Sequence, residues 1–479
     1  MSIYLAIDLG TTGCRSILFD ETLSVLSQSY EEYGLITPKE NRVEQDANLW
    51  WELTKKTILG VKQKAGISSS QIKAIAISSQ AITVVPVDEN IEPLCNAISW
   101  LDTRADEECR RIQKEISPAR IYRLTGKPLT PIYTLPKILW LKENEPQIYQ
   151  KAYKLLAPLD FLVAKLTGKI VTDHSMASGT LMYDLCNACW SEEILSHFEI
   201  DKNKLPGLAD SISFAGYVKE DVREELGLSE KCVVAVGAQD QKCAAFGAGL
   251  DERSITISLG TAAAVTKLWK DARIDEKTGA FWCGYVEKDR YVTEGGVETA
   301  GTCLRWVRDL LFSNESYDVI NKEAAEARER GSSLLFYPYL SGSAAHFESS
   351  PEGAFYGVSL ATKRGDYALS VMEGVAFEIR ALLENVGATE EAERIILFGG
   401  GAKSDLWCEI LSDTIGLDIV VPDTVEAAGA GAAMIAALAA GDSLSALPMK
   451  RRFVPGKMRD AYNEKYRRYK ALKQKMWGI

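Results

Sequence analysis

The chain has 479 residues, 46% of them hydrophobic and 25% charged, which excludes a disordered or fibrous protein because enough apolar surface is present to form cores. A formal net charge of −11 argues against general nucleic-acid binding, and no apolar run reaches the ~18 residues of a membrane span. At ~100–200 residues per domain, the length predicts roughly two to four domains. We expect a cytoplasmic protein with free thiols and no signal peptide, and neither nucleic acid nor a membrane as partner.

The N-terminal half begins with a glycine-rich hairpin. Residues 3–8 and 14–20 are typical of buried strands, and residues 10–13 are typical of the tight turn that joins them. The elements predicted next are a helix over 47–65, strands over 72–77 and 83–88, and helices over 104–116 and 137–144.

The same pattern restarts in the C-terminal half. After an apolar run at 232–237, two predicted strands flank Leu259-Gly260-Thr261, so a strand–turn–strand hairpin occurs twice. This duplication predicts an α/β protein with two halves, residues 1–246 and 247–479, and a cleft between them. The later predictions are a strand over 395–398 and helices over 404–415, 427–440 and within the basic segment 450–475, where tyrosines recur at helical spacing.

The two hairpin turns are candidate phosphate sites. Successive backbone N–H groups in a glycine-rich turn bind anions, and the hydroxyls of Thr11 and Thr12 add donors. Arg15 adds positive charge, and Asp8 ends its strand where a carboxylate could hold Mg²⁺ through water. Each turn by itself also fits an ordinary hairpin, but a second one at Gly260 and Thr261 favours phosphate binding.

Asp240 is the candidate general base. It follows an apolar strand and Gly237 and precedes a helix of small residues, so its carboxylate could take a proton from a hydroxyl that attacks phosphorus. A helix N-cap is the alternative, since aspartate is favoured there. The segment alone leaves both interpretations open.

Three consecutive glycines, residues 399–401, follow the predicted strand at 395–398. A backbone without side chains lets a flat ligand such as a nucleotide approach, although a simple strand–helix turn would need the same residues. The chain contains no GxxxxGK[ST] phosphate loop.

Taken together, these motifs resemble the FGGY carbohydrate kinase family, within the actin/Hsp70/sugar-kinase superfold, over essentially the whole chain. The matching segments, in order, are Asp8 to Thr12, Val43 to Asp46 with Trp50-Trp51, Trp100 to Arg104, Gly237 to Asp240, Ser258 to Thr261, Gly357 to Leu360 with Met372 to Phe377, and Gly399 to Trp407. The resemblance implies two ribonuclease-H-like domains flanking a deep catalytic cleft, and ATP- and Mg²⁺-dependent phosphorylation of a small sugar. Dimers are common in the family, which leaves a homodimer open.

The resemblance also implies a role for each matched residue. Asp240 would be the general base, and Asp8 and Asp240 would lie at the metal. The residues expected around the nucleotide are Thr11, Thr12, Arg15, Gly260, Thr261, Gly301, Gly400, Gly401 and Ser404. The residues expected near the sugar are Gln80, Trp100, Asp102 and Gln241. A salt bridge between Asp102 and Arg104 is an equal alternative to sugar contact.

The residues expected around the sugar differ from the family pattern. Glycerol kinases carry Gln-Arg-Glu and xylulokinases Gln-Met-His where this chain has Gln80-Ala81-Ile82, so this corner of the pocket should be more apolar than in either relative. Lys242 and Ser343 also depart from the usual family residues. The adenosine segment has the xylulokinase-like form, and a pentulose such as xylulose is the favoured substrate.

Other functions remain as alternatives. The protein could phosphorylate another sugar, an aldonate or a polyol, or bind nucleotide and sense a sugar without turnover. The three histidines show no metal-ligand spacing; structural or surface roles are predicted for His174 and His197, while His346 lies in a Gly/Ser-rich stretch that could border the cleft.

Overall fold

A computed structural model describes residues 2–67, 71–342, 351–423 and 426–479. Up to residue 249 its elements are β1 Ile3–Leu9, β2 Gly13–Phe19, β3 Val25–Glu32, β4 Ile36–Lys39, β5 Arg42–Gln45, α1 Ala47–Ala65, β6 Ile72–Ser79, β7 Val85–Val87, β8 Ala97–Ile98, α2 Asp106–Glu115, α3 Pro118–Thr125, α4 Thr134–Asn144, α5 Pro146–Lys151, β9 Lys154–Leu156, α6 Pro158–Thr167, β10 Val171–Asp173, α7 His174–Ala177, β11 Tyr183–Asp184, β12 Cys189–Trp190, α8 Glu192–His197, β13 Gly207–Ala209, β14 Phe214–Tyr217, α9 Glu220–Leu226, β15 Val233–Ala235, β16 Ala238–Gln239 and α10 Asp240–Gly247.

The elements after residue 249 continue the α/β alternation. They are β17 Ser254–Leu259, β18 Ala263–Trp269, β19 Phe281–Gly284, β20 Tyr291–Val297, α11 Gly301–Leu311, α12 Tyr317–Glu329, β21 Leu335–Tyr337, β22 Ala354–Tyr356, α13 Arg364–Asn385, α14 Ala388–Glu391, β23 Arg394–Phe398, α15 Asp405–Ile415, β24 Asp418–Pro422, α16 Ala427–Ala439, β25 Met449–Phe453 and α17 Arg459–Trp477. Within the described ranges, none of these helices has the combination of length and hydropathy that crossing a membrane requires.

The described chain forms two compact units. The first contains residues 2–249, 269–292 and 426–447, and the second contains residues 250–268, 293–425 and 448–479. The predicted domain boundary between residues 246 and 247 stays a prediction. The two units are discontinuous in sequence, so they do not test a single boundary in the chain.

The sheet of the first unit is built around the predicted N-terminal hairpin. Its strands follow the order β14-β15-β6-β1-β2-β3, with β16 also paired to β6. β1 is antiparallel to β2 and parallel to β6. Apolar side chains on these strands, such as Leu5, Ile75 and Val234, are fully buried, as expected for a sheet that is covered on both faces.

The sheet of the second unit repeats this arrangement. Its strands follow the order β20-β18-β17-β23-β24-β25, with β17 antiparallel to β18 and parallel to β23. In both units, therefore, the first strand of the hairpin lies between the second hairpin strand, to which it is antiparallel, and a third strand, to which it is parallel. The duplication predicted from the sequence is confirmed at the level of strand order and direction.

Helix α16 belongs to the first unit and packs closely on α10. A Cβ on Gly431 would lie 1.9 Å from Cys243 O, and one on Gly247 would lie 2.2 Å from Ala427 O. Only glycine fits where two helix backbones approach this closely. This confirms the close packing predicted for the Ala- and Gly-rich segment.

The C-terminal helix α17 has the predicted aromatic face. Tyr462, Tyr466 and Tyr469 are each at most 2% exposed. The helix starts at Arg459, however, because Met449–Phe453 form strand β25 at the edge of the second sheet. The basic side chains of this segment do not prevent strand formation, since β25 lies at an edge where they remain accessible.

Candidate active site

Three neighbouring strands of the first unit end at one edge of its sheet. Asp8 on β1 is in register with Ser78 on β6, and Ala238 on β16 is in register with the same Ser78. These strands run parallel, so their carboxyl ends meet at that edge, which is where ligands bind in open α/β sheets. The hairpin turn, Gln80 and Asp240 come immediately after the three strands.

Asp240 begins helix α10 and is partly exposed. Its Oδ1 accepts hydrogen bonds from Gln239 Nε2 at 2.6 Å and from Gln241 N at 2.7 Å. The N-cap residue is Gln239, so Asp240 stands one position inside the helix and is not its N-cap. A negative charge in the first turn is favoured by the helix dipole, which suits an ionised carboxylate.

Ser175 fixes the backbone just before Asp240. Its Oγ accepts a 3.0 Å hydrogen bond from Gln239 N, and Asp173 caps the short helix that carries Ser175. The sequence analysis missed Ser175. No local motif marks it, because it lies 64 residues before Gln239.

Asp8 is held by the neighbouring strand. Ser78 Oγ donates a 3.0 Å hydrogen bond to Asp8 Oδ1. Burial raises the pKa of the Asp8 carboxyl above its usual value, while the hydrogen bond from Ser78 and the positive charge of Arg15 act in the opposite direction.

The first hairpin turn contacts the predicted sugar-side residues. Thr11 Oγ1 accepts a 3.0 Å hydrogen bond from Trp100 Nε1, and Thr11 O accepts one of 2.7 Å from Gln45 Nε2. Gln80 Nε2 in turn donates to Gln45 Oε1 at 3.0 Å. The structure therefore joins Trp100 directly to Thr11, and joins Gln80 to Thr11 through Gln45. From the sequence, Gln45 was quoted only as part of a motif.

Arg15 and Thr12 differ in their surroundings. Arg15 Nη1 donates to both carboxylate oxygens of Glu426 at 2.7 Å, and its guanidinium lies 5.2 Å from the Tyr30 ring. Thr12 is exposed. The pairing with Glu426, which comes 411 residues later in the chain, could not be read from the sequence. A role for Arg15 toward phosphate stays a prediction.

Asp102 forms the salt bridge that the sequence analysis left open. It is fully buried, and Arg104 Nη2 lies 2.8 Å from its Oδ2. Its oxygens also accept Val43 N at 2.6 Å and Arg104 N at 2.9 Å. With these bonds, Asp102 joins Arg104 to the backbone at Val43. Contact of Asp102 with the sugar stays a prediction.

The structure describes two of the residues that depart from the family pattern, Ile82 and Lys242. Ile82 adopts a left-handed backbone with φ of 64°, which is unusual for a β-branched residue. Lys242 is buried on α10. Ser343 and His346 lie outside the described residues.

The second unit contains a cavity of about 600 Å³. Six of the nine predicted nucleotide residues line it together, namely Gly260, Thr261, Gly301, Gly400, Gly401 and Ser404. This volume is within the ~300–1,000 Å³ range of small-molecule sites.

Close backbone packing holds together the part of the cavity lining that contains Gly260 and Gly301. Gly301 N donates to Gly260 O at 3.0 Å, and a Cβ on Gly301 would lie 2.4 Å from that same oxygen. Thr302 N also donates to Thr261 O at 3.1 Å. Two backbone hydrogen bonds therefore join the turn between β17 and β18 to the first residues of α11.

The opposite side of the cavity is formed by the glycine turn and α12. Ser404 caps α15 by accepting from Trp407 N, and its Oγ donates to Asn321 Oδ1 at 2.8 Å. Sequence reasoning missed several lining residues, namely Arg305, Tyr317, Asp318, Asn321 and Lys403. Helical spacing is the signal that could have found some of them, since residues 301 and 305 and residues 317 and 321 are each one turn apart.

The donor set fits Mg²⁺ that arrives with a nucleotide. Among the described residues, no three histidine, cysteine, aspartate or glutamate side chains are grouped to hold a metal by themselves. Mg²⁺ is commonly bound by one or two carboxylates with water and substrate phosphates completing its shell. Asp8 on β1 and Asp240, which follows β16, are the two carboxylates that would take this part, because both strands end at the same edge of the sheet as β6.

The repeated α/β unit and the glycine-lined cavity agree with the fold that the sequence motifs predicted, the sugar-kinase superfold. Family comparisons specify the class: the N-terminal domain of the FGGY family of carbohydrate kinases matches residues 3–247, and its C-terminal domain matches residues 255–440. The chain belongs to the FGGY family of carbohydrate kinases. It is an enzyme of that family, whose members use ATP as the phosphate donor.

Individual relatives cover nearly the whole chain. A xylulose kinase from Lactococcus lactis is 31% identical over 93% of this chain and 90% of its own length. A gluconokinase from Bacillus licheniformis is 28% identical over 92% of this chain and 88% of its own. The ligand-bound crystal structure of xylulose kinase from Lactobacillus acidophilus has a TM-score of 0.92 and 25% identity, and the alignment covers 100% of this chain and 99% of that one.

Proposed function

We propose that the protein transfers the terminal phosphoryl group of ATP to a hydroxyl of a pentulose, with xylulose as the favoured substrate. The observation that carries this proposal is that Asp240 and Gln80 directly follow the paired strands β16 and β6, whose last residues, Gln239 and Ser79, are in register. The similarity to xylulose kinases supports the choice of sugar.

In the proposed mechanism Asp240 accepts the proton of the attacking hydroxyl as the new O–P bond forms. The hydrogen bond from Gln239 keeps one carboxylate oxygen in a fixed orientation, so little rearrangement is needed at the moment of transfer. Gln80, Trp100 and Gln241 are the proposed sugar contacts.

The second unit is proposed to bind the nucleotide. Gly260, Thr261 and Gly301 offer backbone surface to the phosphates, while Gly400, Gly401 and Ser404 lie along the adenosine. Thr11 and Thr12 are further proposed phosphate ligands. Mg²⁺, held by Asp8 and Asp240, would supply positive charge that offsets the charge on the phosphates.

The test is ADP release with Mg·ATP over a panel of ketopentoses, ketohexoses, aldonates and polyols. We expect D-xylulose to give the highest kcat/KM. The highest kcat/KM on another sugar would overturn the pentulose assignment while keeping the kinase.

Gluconate is the second candidate substrate, because a gluconokinase matches over nearly the same span as the xylulose kinases. The aldonate arm of the panel decides between them. A flat panel from protein that still binds ATP would favour a sugar sensor without turnover.

A further inference from the structure

Lys137 is a buried lysine that bridges two turns of the first unit. It lies on α4 and is fully buried. Its Nζ donates to Ser99 O at 2.6 Å and to Ile82 O at 3.1 Å. The two carbonyls belong to different segments, one following β8 and one following β6, so a single ammonium joins them.

These two turns carry two of the three proposed sugar contacts. The turn of Ile82 begins with Gln80, and the turn of Ser99 continues into Trp100. A second bond links the same turns, because Trp100 N donates to Thr83 Oγ1 at 3.1 Å. Lys137 thus lies behind the sugar-side residues without being one of them.

The conformation of Ile82 shows why such a bond is needed. A β-branched residue in the left-handed region is strained and persists only where surrounding contacts hold it there. The bond from Lys137 to the Ile82 carbonyl is a contact of this kind. Without it, the turn is free to relax and to move Gln80.

The protonation of Lys137 depends on its burial and on two neighbouring charges. Burial lowers its pKa to about 7, the negative charge of Asp102 opposes that effect, and the positive charge of Arg104 adds to it. Asp102 and Arg104 are bonded to each other, and Glu44 on β5 binds Arg104 from the other side at 2.6 Å. A charged ammonium binds carbonyls more strongly than a neutral amine, so both bonds should weaken as Lys137 loses its proton.

We propose that Lys137 is a positioning residue that holds the turns of Ile82 and Ser99 in the arrangement that binds the sugar. This inference rests on the proposed function, since it acts through Gln80 and Trp100. It assigns a role to a residue on α4 that makes no contact with the nucleotide cavity of the second unit.

The first test compares Lys137→Met with Lys142→Met by steady-state kinetics on the sugar that the wild type phosphorylates with the highest kcat/KM. Lys142 is a matched control, because it lies on the same helix and also donates to two backbone carbonyls, Phe198 O and Glu199 O. For Lys137→Met we expect the sugar KM to rise about tenfold or more, with kcat and the KM for ATP within about threefold of wild type. Lys142→Met should match wild type.

A purely structural role would give a different pattern. It would lower the fraction of active enzyme, so kcat would fall while the sugar KM stayed the same, and that result would overturn the proposal. The comparison uses whichever sugar the wild type phosphorylates, so failure of the pentulose assignment and failure of this inference are separate outcomes.

A pH series with Lys137→Arg provides the second test and does not depend on Lys137→Met folding. Arginine keeps its charge at all working pH values. We expect the wild-type sugar KM to rise between pH 6 and pH 8.5 and that of Lys137→Arg to change little. The same pH dependence in both proteins would overturn the proposal.

Discussion

Gln239 and Asp240 are joined by a 2.6 Å hydrogen bond from the amide Nε2 to the carboxylate Oδ1. The bond connects the N-cap residue of α10 to the first residue of the helix, and Ser175 anchors the backbone of Gln239. The orientation of the proposed base is therefore set by residues of the same unit before any ligand binds.

Replacing Asp240 by asparagine should abolish most turnover and spare nucleotide binding. Loss of a general base costs about 10²–10⁴ in rate, so kcat should fall at least about 100-fold. The proposed nucleotide cavity lies in the second unit and does not include residue 240, so the affinity for ATP without Mg²⁺, measured by calorimetry, should stay within about twofold.

Asp221→Asn is the control for that experiment, because Asp221 is an exposed aspartate in the first turn of α9. It should behave as wild type. Near-normal turnover in Asp240→Asn would remove Asp240 from the role of base.

Gly400→Leu should block the nucleotide cavity without unfolding the protein. Gly400 lines the cavity, and a Cβ there meets no atom within 4 Å, so a leucine side chain can extend into the space that the adenosine would occupy. A ligand that binds only the folded state stabilises it by about 2.7 kcal/mol at 100 times its Kd. The variant should keep its melting temperature without ATP and lose the increase that ATP produces in the wild type.

Gly34→Leu is the matched control, because Gly34 is exposed and a Cβ added there would also have no atom within 4 Å. It should retain the ATP-induced increase in melting temperature. An unchanged increase in Gly400→Leu would show that the nucleotide binds elsewhere.

Asp160→Asn should make stability less sensitive to pH. Asp160 is buried on α6, where burial raises the pKa of its carboxyl to about 7. The folded state therefore holds this proton when the unfolded state has lost it, so the free energy of unfolding decreases as pH rises from about 4 to about 7. Asparagine keeps an acceptor for Ala157 N, which now donates to Asp160 at 2.8 Å, and carries no charge.

The stabilisation of Asp160→Asn over wild type should grow with pH, by up to about 4 kcal/mol between pH 4 and pH 8 at ~1.4 kcal/mol per pKa unit. Urea unfolding at several pH values measures it. A difference between the two proteins that does not change with pH would contradict the assignment of this pH dependence to Asp160.

Asp102→Ala should destabilise the fold strongly. Removing one partner of a buried ion pair costs about 3–5 kcal/mol when the other is left unpaired. Arg104 would keep its bond to Glu44, so we expect a loss toward the lower end of that range. Asp102 and Arg104 have side chains that are 0% and 4% exposed. Chemical denaturation measures the loss.

The control is Asp106→Ala, which breaks an exposed pair with Arg110 on the same stretch of chain. Exposed pairs contribute about 0–1 kcal/mol, so this variant should unfold near the wild-type midpoint. Equal losses in the two variants would show that Asp102 is not a buried structural residue.

The element predictions were confirmed where local patterns were strong. Helix α1 has the predicted bounds, 47–65, and both hairpins were expected from glycine turns between apolar runs. Helical periodicity and strand alternation are encoded within about 11–18 neighbouring residues, which is why the sequence suffices for them. The start of α17 was not predicted, since charge and length alone do not distinguish an edge strand from the first turns of a helix.

The candidate site also contains residues that local motifs predicted and residues that they did not. Six of the residues that line the cavity of the second unit were named from motifs, and four of the six are glycines, because close backbone approach requires glycine at fixed positions in a turn. Ser175, Asn321 and Lys137 were not, because each acts on a segment far away in the chain.

The sequence by itself determined the family, the duplicated hairpins and the glycine turns, since these depend on residues that are close together in the chain. Only the tertiary structure decided that Arg15 pairs with Glu426, that Glu44 joins the Asp102–Arg104 pair, and that helix α16 packs in the first unit. Burial and pairing depend on which distant segments meet when the core forms, and local composition carries no record of that choice.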